Sequence, residues 1–179
     1  MKKIIILGDS GSKAVTKAVI RVCTAYGGAF VIDDDRIYET SEEPQFLVLT
    51  SDGGKEILCG DTVILGSSAE TVNIDRIRTD QAVMVIDSGN KKLLAKLKNR
   101  RIAAIGCSMS AQDTLSISCS GFPVKMVSLQ RNIAISGGHT AEPQEFTVRL
   151  SEETEVYPLL AACAVLLMSG ISSDEGYYF

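Results

Sequence analysis

The chain has 179 residues, 45% of them hydrophobic, and a formal net charge of −4, enough for one globular domain with a core of its own. Both charge signs are interspersed along it, so no basic face is offered to nucleic acid, and a nucleic-acid partner is not expected. Behind Lys2 and Lys3 the apolar run covers only residues 4–7, too short for a signal-peptide core or a membrane span, so the expected setting is the cytoplasm, away from membranes.

In chain order, the stretch KKIIILGDSGSKAVTKAVIRVCTAY at residues 2–26 gives a short apolar strand, a glycine-punctuated turn and an amphipathic helix. Residues 4–7 read as a strand buried on both faces of a parallel sheet. Ala14, Val15, Ala18, Val19, Val22 and Cys23 then recur at helical spacing and stop at Gly27-Gly28, a helix C-terminus. Residues 29–32 make a second strand, ending in Asp33-Asp34-Asp35.

Further strands are predicted at 46–50, 62–65, 81–87 and 102–105, with a short edge piece at 56–59. A basic helix over 91–99 carries Leu93, Leu94 and Leu97 on one side. Strands alternating with helices imply a parallel sheet with crossover connections. After Gly106 the period changes to alternation, and strands at 115–119, 124–129, 132–135 and 145–150 read as an antiparallel meander. The loop 136–143, SGGHTAEP, is read as the most flexible segment, with His139 as a solvated loop residue. A final helix is predicted from Ser151 to about Ser169, apolar nearly all round and therefore deeply buried. The expected fold is α/β: a mostly parallel, P-loop-like sheet flanked by helices, with a C-terminal antiparallel meander and a final buried helix. One domain over 1–179 is expected, divided into the parallel part (1–106), the meander (107–150) and the last helix (151–170).

Cys23, Cys59, Cys107, Cys119 and Cys163 are odd in number and lack a CxxC pair. This argues against a disulfide framework and a zinc site, and for buried reduced thiols.

The first candidate site is the turn Gly8, Asp9, Ser10, Gly11, Ser12 and Lys13. Phosphate binding ahead of a helix needs glycines for close backbone approach, free N–H groups and a lysine. The full pattern GxxxxGK[ST] is not met: Ser12 separates Gly11 from Lys13, and Ala14 stands where a magnesium-binding hydroxyl belongs. A plain strand-to-helix turn with Ser12 capping the helix is the competing reading. Asp33, in the acidic run, and Asp87, at the end of a core strand, are weaker candidates for a ribose hydroxyl or a cation. A solvated turn and a helix cap are their respective alternatives, and no metal site is assigned.

The letters GDS after an apolar strand also resemble the opening of the GDSL-type hydrolases, with Ser10 as nucleophile. That chemistry needs an imidazole base. His139 is the chain's sole histidine, and no aspartate stands at the DxxH spacing.

The order of elements resembles the central ATP-binding domain of the Mur ligases, ATP-dependent amide ligases of peptidoglycan precursor assembly. QAVMVIDSGNKKLLAKLKNRRIAAIGCS (81–108) is similar to the family's strand, short helix and strand. FTVRLSEETEVYPLLAACAVLLMSGI (146–171) is similar in outline to its LPGxHNxxNxLAAxAxAxxxGI ending. The family's loop reads GTNGKT[TS]; Gly8 and Gly11 match it, but Ser12 stands at the lysine position and Lys13 at the threonine position. Thr154-Glu155 replaces the His-Asn pair, Pro158 replaces the second Asn, and the magnesium-positioning glutamate and histidine have no counterpart. The family's N- and C-terminal domains are not represented.

The resemblance implies a Mur-ligase-like domain that has shed catalysis and serves as a binding or interaction module, with residual nucleotide or phosphate binding at residues 8–13. The implied cofactor is ATP with magnesium. An ATP-dependent ligase-like or phosphotransfer enzyme using the shifted Lys13, with magnesium at Asp9 or Asp87, is the alternative. A protein partner or a second copy could complete the site.

Overall fold

The computed structural model describes residues 1–9, 13–33, 35–52, 56–58, 60–67, 72–78, 82–98, 100, 102–119, 121–135 and 138–179. The branched-apolar run after Lys2 forms β1 (Lys2–Leu7), and the helical repeat after the turn forms α1 (Ala14–Ala25), followed by β2 (Ala29–Ile32). The hairpin partner β3 (Ile37–Glu39) then precedes β4 (Phe46–Ser51), β5 (Thr62–Gly66) and β6 (Ala82–Asp87). Helix α2 (Lys91–Leu97) leads into β7 (Ala103–Ser108), β8 (Leu115–Cys119) and β9 (Val124–Leu129). The chain ends with β10 (Ile133–Ile135), β11 (His139–Ala141), β12 (Gln144–Arg149), α3 (Val156–Met168) and β13 (Tyr177–Tyr178).

Among the described residues eleven strands share one sheet in the order β13-β12-β9-β8-β7-β6-β5-β1-β4-β2-β3, while β10 and β11 form a separate ribbon. From β2 across to β8 neighbouring strands run parallel. The β8-β9-β12 meander is antiparallel, as its alternating pattern requires. Each strand turns successive side chains to opposite faces, and the two faces carry different cores. Ile4, Ile6, Val31, Val48 and Leu65 pack with Val15, Val19 and Val22 of α1 and with nearly all of α3. Leu7, Ile64, Met84 and Ile86 pack with Leu93 and Leu97 of α2. Helices α1 and α3 therefore lie on one face and α2 on the other. Among the described residues no helix is long and apolar enough to cross a membrane.

Several expectations are corrected. Leu94 does not share the buried side of α2: it is 38% exposed while Leu93 is fully buried. The last helix begins at Val156 rather than Ser151. Pro158 explains the delay, since its ring excludes a helical carbonyl four residues earlier and confines it to the first turn. The 136–143 loop contains a strand, with Ile135 paired to His139, and His139 is exposed there. The predicted edge piece at 56–59 reduces to one bridge between Ile57 and Ile77, with Cys59 outside the described residues. Cys23, Cys107 and Cys163 are buried and unpaired, but Cys119 is exposed. The C-terminal residues add a further strand that was not expected: Tyr177 pairs with Val148 and meets Tyr26 and Phe146 edge to face.

Candidate functional site at the carboxyl ends of the parallel strands

Strand order reverses around β1: the chain crosses past β4 to reach β2, then returns past β1 to β5 and β6. Open parallel sheets present ligand crevices outside the strand carboxyl ends at such a reversal. The turn after β1 lies there. Leu7 is level with Ser51 of β4 and with Gly66 of β5. The Gly8 N–H donates to the Ser51 carbonyl at 3.0 Å, and the Ser67 N–H donates to the Leu7 carbonyl at 3.0 Å. Gly8 takes φ +76°, a conformation open to glycine at no steric cost.

The carboxylate of Asp9 turns back onto the head of α1. Its Oδ2 accepts the Thr16 N–H at 2.7 Å, and its Oδ1 accepts the Ser67 hydroxyl at 3.3 Å. Thr16 is the third residue of α1, so this amide is one of those a helix start leaves without a partner, and the negative charge suits the positive helix end. The position before the helix is occupied by Lys13 in a left-handed conformation (φ 51°, ψ 26°), and it makes no side-chain cap. Ser10, Gly11 and Ser12, including the proposed Ser12 cap, lie outside the described residues.

Lys13 is spent within the chain. Its Nζ lies 3.2 Å from Asp33 Oδ2; the Asp33 side chain is 7% exposed and that of Lys13 37%. Asp33 Oδ1 accepts the Thr50 hydroxyl at 2.7 Å, and the Asp33 backbone is held by reciprocal bonds with Arg36. The crevice lined by Ile6, Asp9, Lys13, Thr16, Asp33, Thr50, Ser51 and Asp52 encloses about 20 Å³, room for about one water. In this arrangement Lys13 and the Thr16 amide are both engaged by carboxylates, which a phosphate group would have to displace. Among the described residues no group of three or more His, Cys, Asp or Glu is placed to hold a metal ion.

Asp87 ends β6 on the other side of β1. Its Oδ1 accepts the Gly89 N–H at 2.8 Å, closing a turn, while the cap of α2 is Asn90, whose Oδ1 accepts the Leu93 N–H at 3.1 Å. The β2 and β6 strands are four strand spacings apart, about 19 Å, so Asp33 and Asp87 cannot share a cation. His139 lies at the opposite end of the sheet from the turn. Its partner Ile135 lines a cavity with Lys2, Asp61 and Thr62, at the amino ends of β1 and β5. The histidine is therefore set apart from the turn that carries Gly8 and Asp9, and Ser10 itself lies outside the described residues.

Tyr157 joins the site without having been singled out from the sequence. Its hydroxyl lies 2.9 Å from the Gly66 carbonyl and 3.0 Å from that of Val85. Burial pushes its phenol well above the ordinary value, and the charges of Cys107, Asp87 and Asp9 add to the effect. The available signal was an aromatic directly before Pro158 in a helix otherwise built from aliphatic residues.

No family model matches the chain, and no curated protein matches it in sequence. Solved structures do. A MurF ligase from Thermotoga maritima in complex with ADP superposes with a TM-score of 0.59 at 14% identity, over 96% of this chain and 46% of that one. The UDP-N-acetylmuramate:L-alanyl-gamma-D-glutamyl-meso-diaminopimelate ligase (MPL) from Neisseria meningitides gives 0.56 at 11% identity, over 94% and 61%. The fold is Mur-ligase-like. The chain spans 46% and 61% of the length of these two ligases. At these identities the likeness is one of architecture, and the Mur-ligase-like sheet is what brings Asp9, Lys13 and Asp33 to one crevice.

Proposed function

We propose that this chain is a Mur-ligase-like α/β domain that has lost catalysis and acts as a binding or interaction module, with residual affinity for nucleotide or phosphate at residues 8–13. One observation supports this above the others: Lys13 is paired with Asp33 and the Thr16 amide with Asp9. An ATP-dependent ligase depends on cationic groups to neutralise phosphate charge as an acyl phosphate forms, and here that capacity is consumed internally. Calorimetric titration with ATP and magnesium, run beside a turnover assay, tests the reading. Weak binding without ATP consumption is expected, and rapid metal-dependent consumption would overturn it.

The interaction role has its own support. Phe30, Ile32, Leu47 and Leu49 are only half-buried and, among the described residues, belong to neither core cluster. Phe30 pairs with Leu47 and Ile32 with Leu49, so the four form one apolar patch on the sheet face opposite α1. Parallel sheets are ordinarily covered on both faces. A partner protein or a second copy seated there would be detected by mass in solution and by pull-down. A strict monomer that captures nothing would remove this half of the proposal.

The alternative is a phosphotransfer or ligase-like enzyme. It is favoured by the placement of Lys13 beside Asp9 in one crevice at the carboxyl ends of the parallel strands, with magnesium held at Asp9 or Asp87. Turnover that disappears in Lys13→Ala would decide for it.

A further inference from the structure

The sheet face that carries α2 stands at two heights. Over β5 and β6 it is covered by α2, through Leu93 and Leu97, and by the segments that meet at the Ile57–Ile77 bridge. Beyond Ile5, among the described residues, the face has no cover. There a row of side chains runs in register across four strands: Ile37 of β3 beside Ile32 of β2, Ile32 beside Leu49 of β4, and Leu49 beside Ile5 of β1. The next row sets Glu39 beside Phe30 and Phe30 beside Leu47. Ile37 is 69% exposed, and the other apolar members of both rows are half-buried. Three strand spacings make the bare patch about 14 Å wide. Its border is acidic, with Asp35, Glu39, Glu42 and Glu43 exposed on β3 and the turns either side of it.

The covered half has the opposite sign. Because Leu93 and Leu97 face the sheet, Lys91, Leu94 and Lys98 fall three and four residues apart in one outward stripe, the spacing that puts side chains on one side of a helix. All three are exposed, and every charged residue from 91 to 98 is a lysine. An apolar patch with an acidic border thus lies on the same face as a protruding apolar residue flanked by lysines.

We propose that this face pairs with the same face of a second copy of the chain, so that α2 of each lies on the bare half of the other. The inference rests on the reading of the patch as an interaction surface and names its occupant. The shapes agree as well as the charges. A helix raises the covered half by about 10 Å, and the seven residues of α2 are about 10 Å long, a length the patch accommodates. A two-fold axis at the step sets both helices onto both patches at once, the self-complementary contact of closed dimers. Leu94 then meets the apolar rows, and Lys91 and Lys98 meet the acidic border. The chain cannot satisfy its own patch, because Leu93 and Leu97 anchor α2 where it is. One such contact covers roughly a few hundred Å²; symmetry supplies two, which brings the total toward that of a specific interface.

Sedimentation equilibrium over a wide range of protein concentration measures the pairing. The wild-type chain is expected to dimerise reversibly, and less tightly as salt screens the lysines from the acids. Leu94→Asp should weaken the dimer by about tenfold or more, since it acts at both contacts. Charge reversal is the decisive arm. E39K alone, and K91E combined with K98E alone, each bring like charges together at both contacts and should be monomeric where wild type is dimeric. Mixed in equal amounts, the two variants again oppose unlike charges at every contact, and a heterodimer should form. These positions are all exposed, and circular dichroism checks that each variant folds. A mixture that stays monomeric, or a wild-type dimer indifferent to Leu94→Asp and to both reversals, overturns the pairing. A monomeric wild-type chain also overturns it. If that monomer still captures a protein that Ile37→Asp releases, the patch stands as an interaction surface without a second copy; if it captures nothing, both readings fall.

Discussion

The phenolic oxygen of Tyr157, in the first turn of α3, lies 2.9 Å from the carbonyl oxygen of Gly66 at the end of β5. The carbonyl of Val85 is 3.0 Å away on the next strand. One hydroxyl hydrogen thus serves two buried acceptors and ties the last helix to the end of the sheet that carries the crevice. Removing it in Tyr157→Phe leaves those acceptors with less compensation at almost unchanged shape. A loss of about 1–3 kcal/mol is expected, read as a lower urea midpoint with an unchanged slope. A loss below about 0.5 kcal/mol would mean the bond contributes nothing particular.

The exposure of Leu94 fixes how α2 is rotated on the sheet. Leu93 sits fully buried among Ile64, Met84 and Ile86, and its methyls lie where a Cβ on Gly66 would come within 2.9 Å. Leu93→Ala should therefore cost about 2–5 kcal/mol. Leu94→Ala, on the solvent side, should cost about 0.5 kcal/mol or less. Similar losses from the two would show that the helix is turned differently.

The parallel half of the sheet was legible because burial on both faces imposes continuous apolar runs, as in residues 4–7 and 46–50, and because helical spacing is unbroken from Ala14 to Cys23. The short strands β3, β11 and β13 were not. At two or three residues they carry no periodicity, and their pairing is decided by neighbours far along the chain, as Val148 decides that of Tyr177. The site was half legible. Gly8, Asp9 and Lys13 follow from local pattern, but the pairing of Lys13 with Asp33 spans 20 residues and depends on β4 lying between β1 and β2. The hydroxyl of Tyr157 reaches Gly66 across 91 residues, beyond any local pattern.

Gly176 is the hinge of the C-terminal strand. It holds φ +77°, and a Cβ there would stand 2.3 Å from Thr147 Oγ1 and 2.7 Å from the Thr147 carbonyl oxygen. The hydroxyl can rotate away, but the carbonyl belongs to β12 and cannot. Gly176→Ala should cost about 1–3 kcal/mol and loosen Tyr177 from its edge-to-face contacts with Tyr26 and Phe146. The chain has no tryptophan, so tyrosine fluorescence reports the change directly, and faster proteolysis near the C-terminus should accompany it. An unchanged spectrum with an intact tail would show that β12 yields instead.

The buried thiols set a limit on stability at high pH. Burial pushes Cys23 from 9.0 up to about 12, and raises Cys107 and Cys163 as well. A thiol whose folded value lies above its unfolded value stabilises the fold while it is protonated in both states. That contribution is complete below pH 9 and is lost as pH rises from about 9 to about 12, because the unfolded chain ionises first. In that window each such group lowers stability by about 1.4 kcal/mol per pH unit. Stability should be level up to about pH 8 and fall steeply above 9, and Cys23→Ala should reduce the slope by one group's share. At pH 8, exposed Cys119 should react with a disulfide reagent while Cys23, Cys107 and Cys163 wait for unfolding, resolved peptide by peptide. An identical alkaline slope in Cys23→Ala, or equal labelling of Cys23 and Cys119, would place Cys23 outside the core between α1 and the sheet.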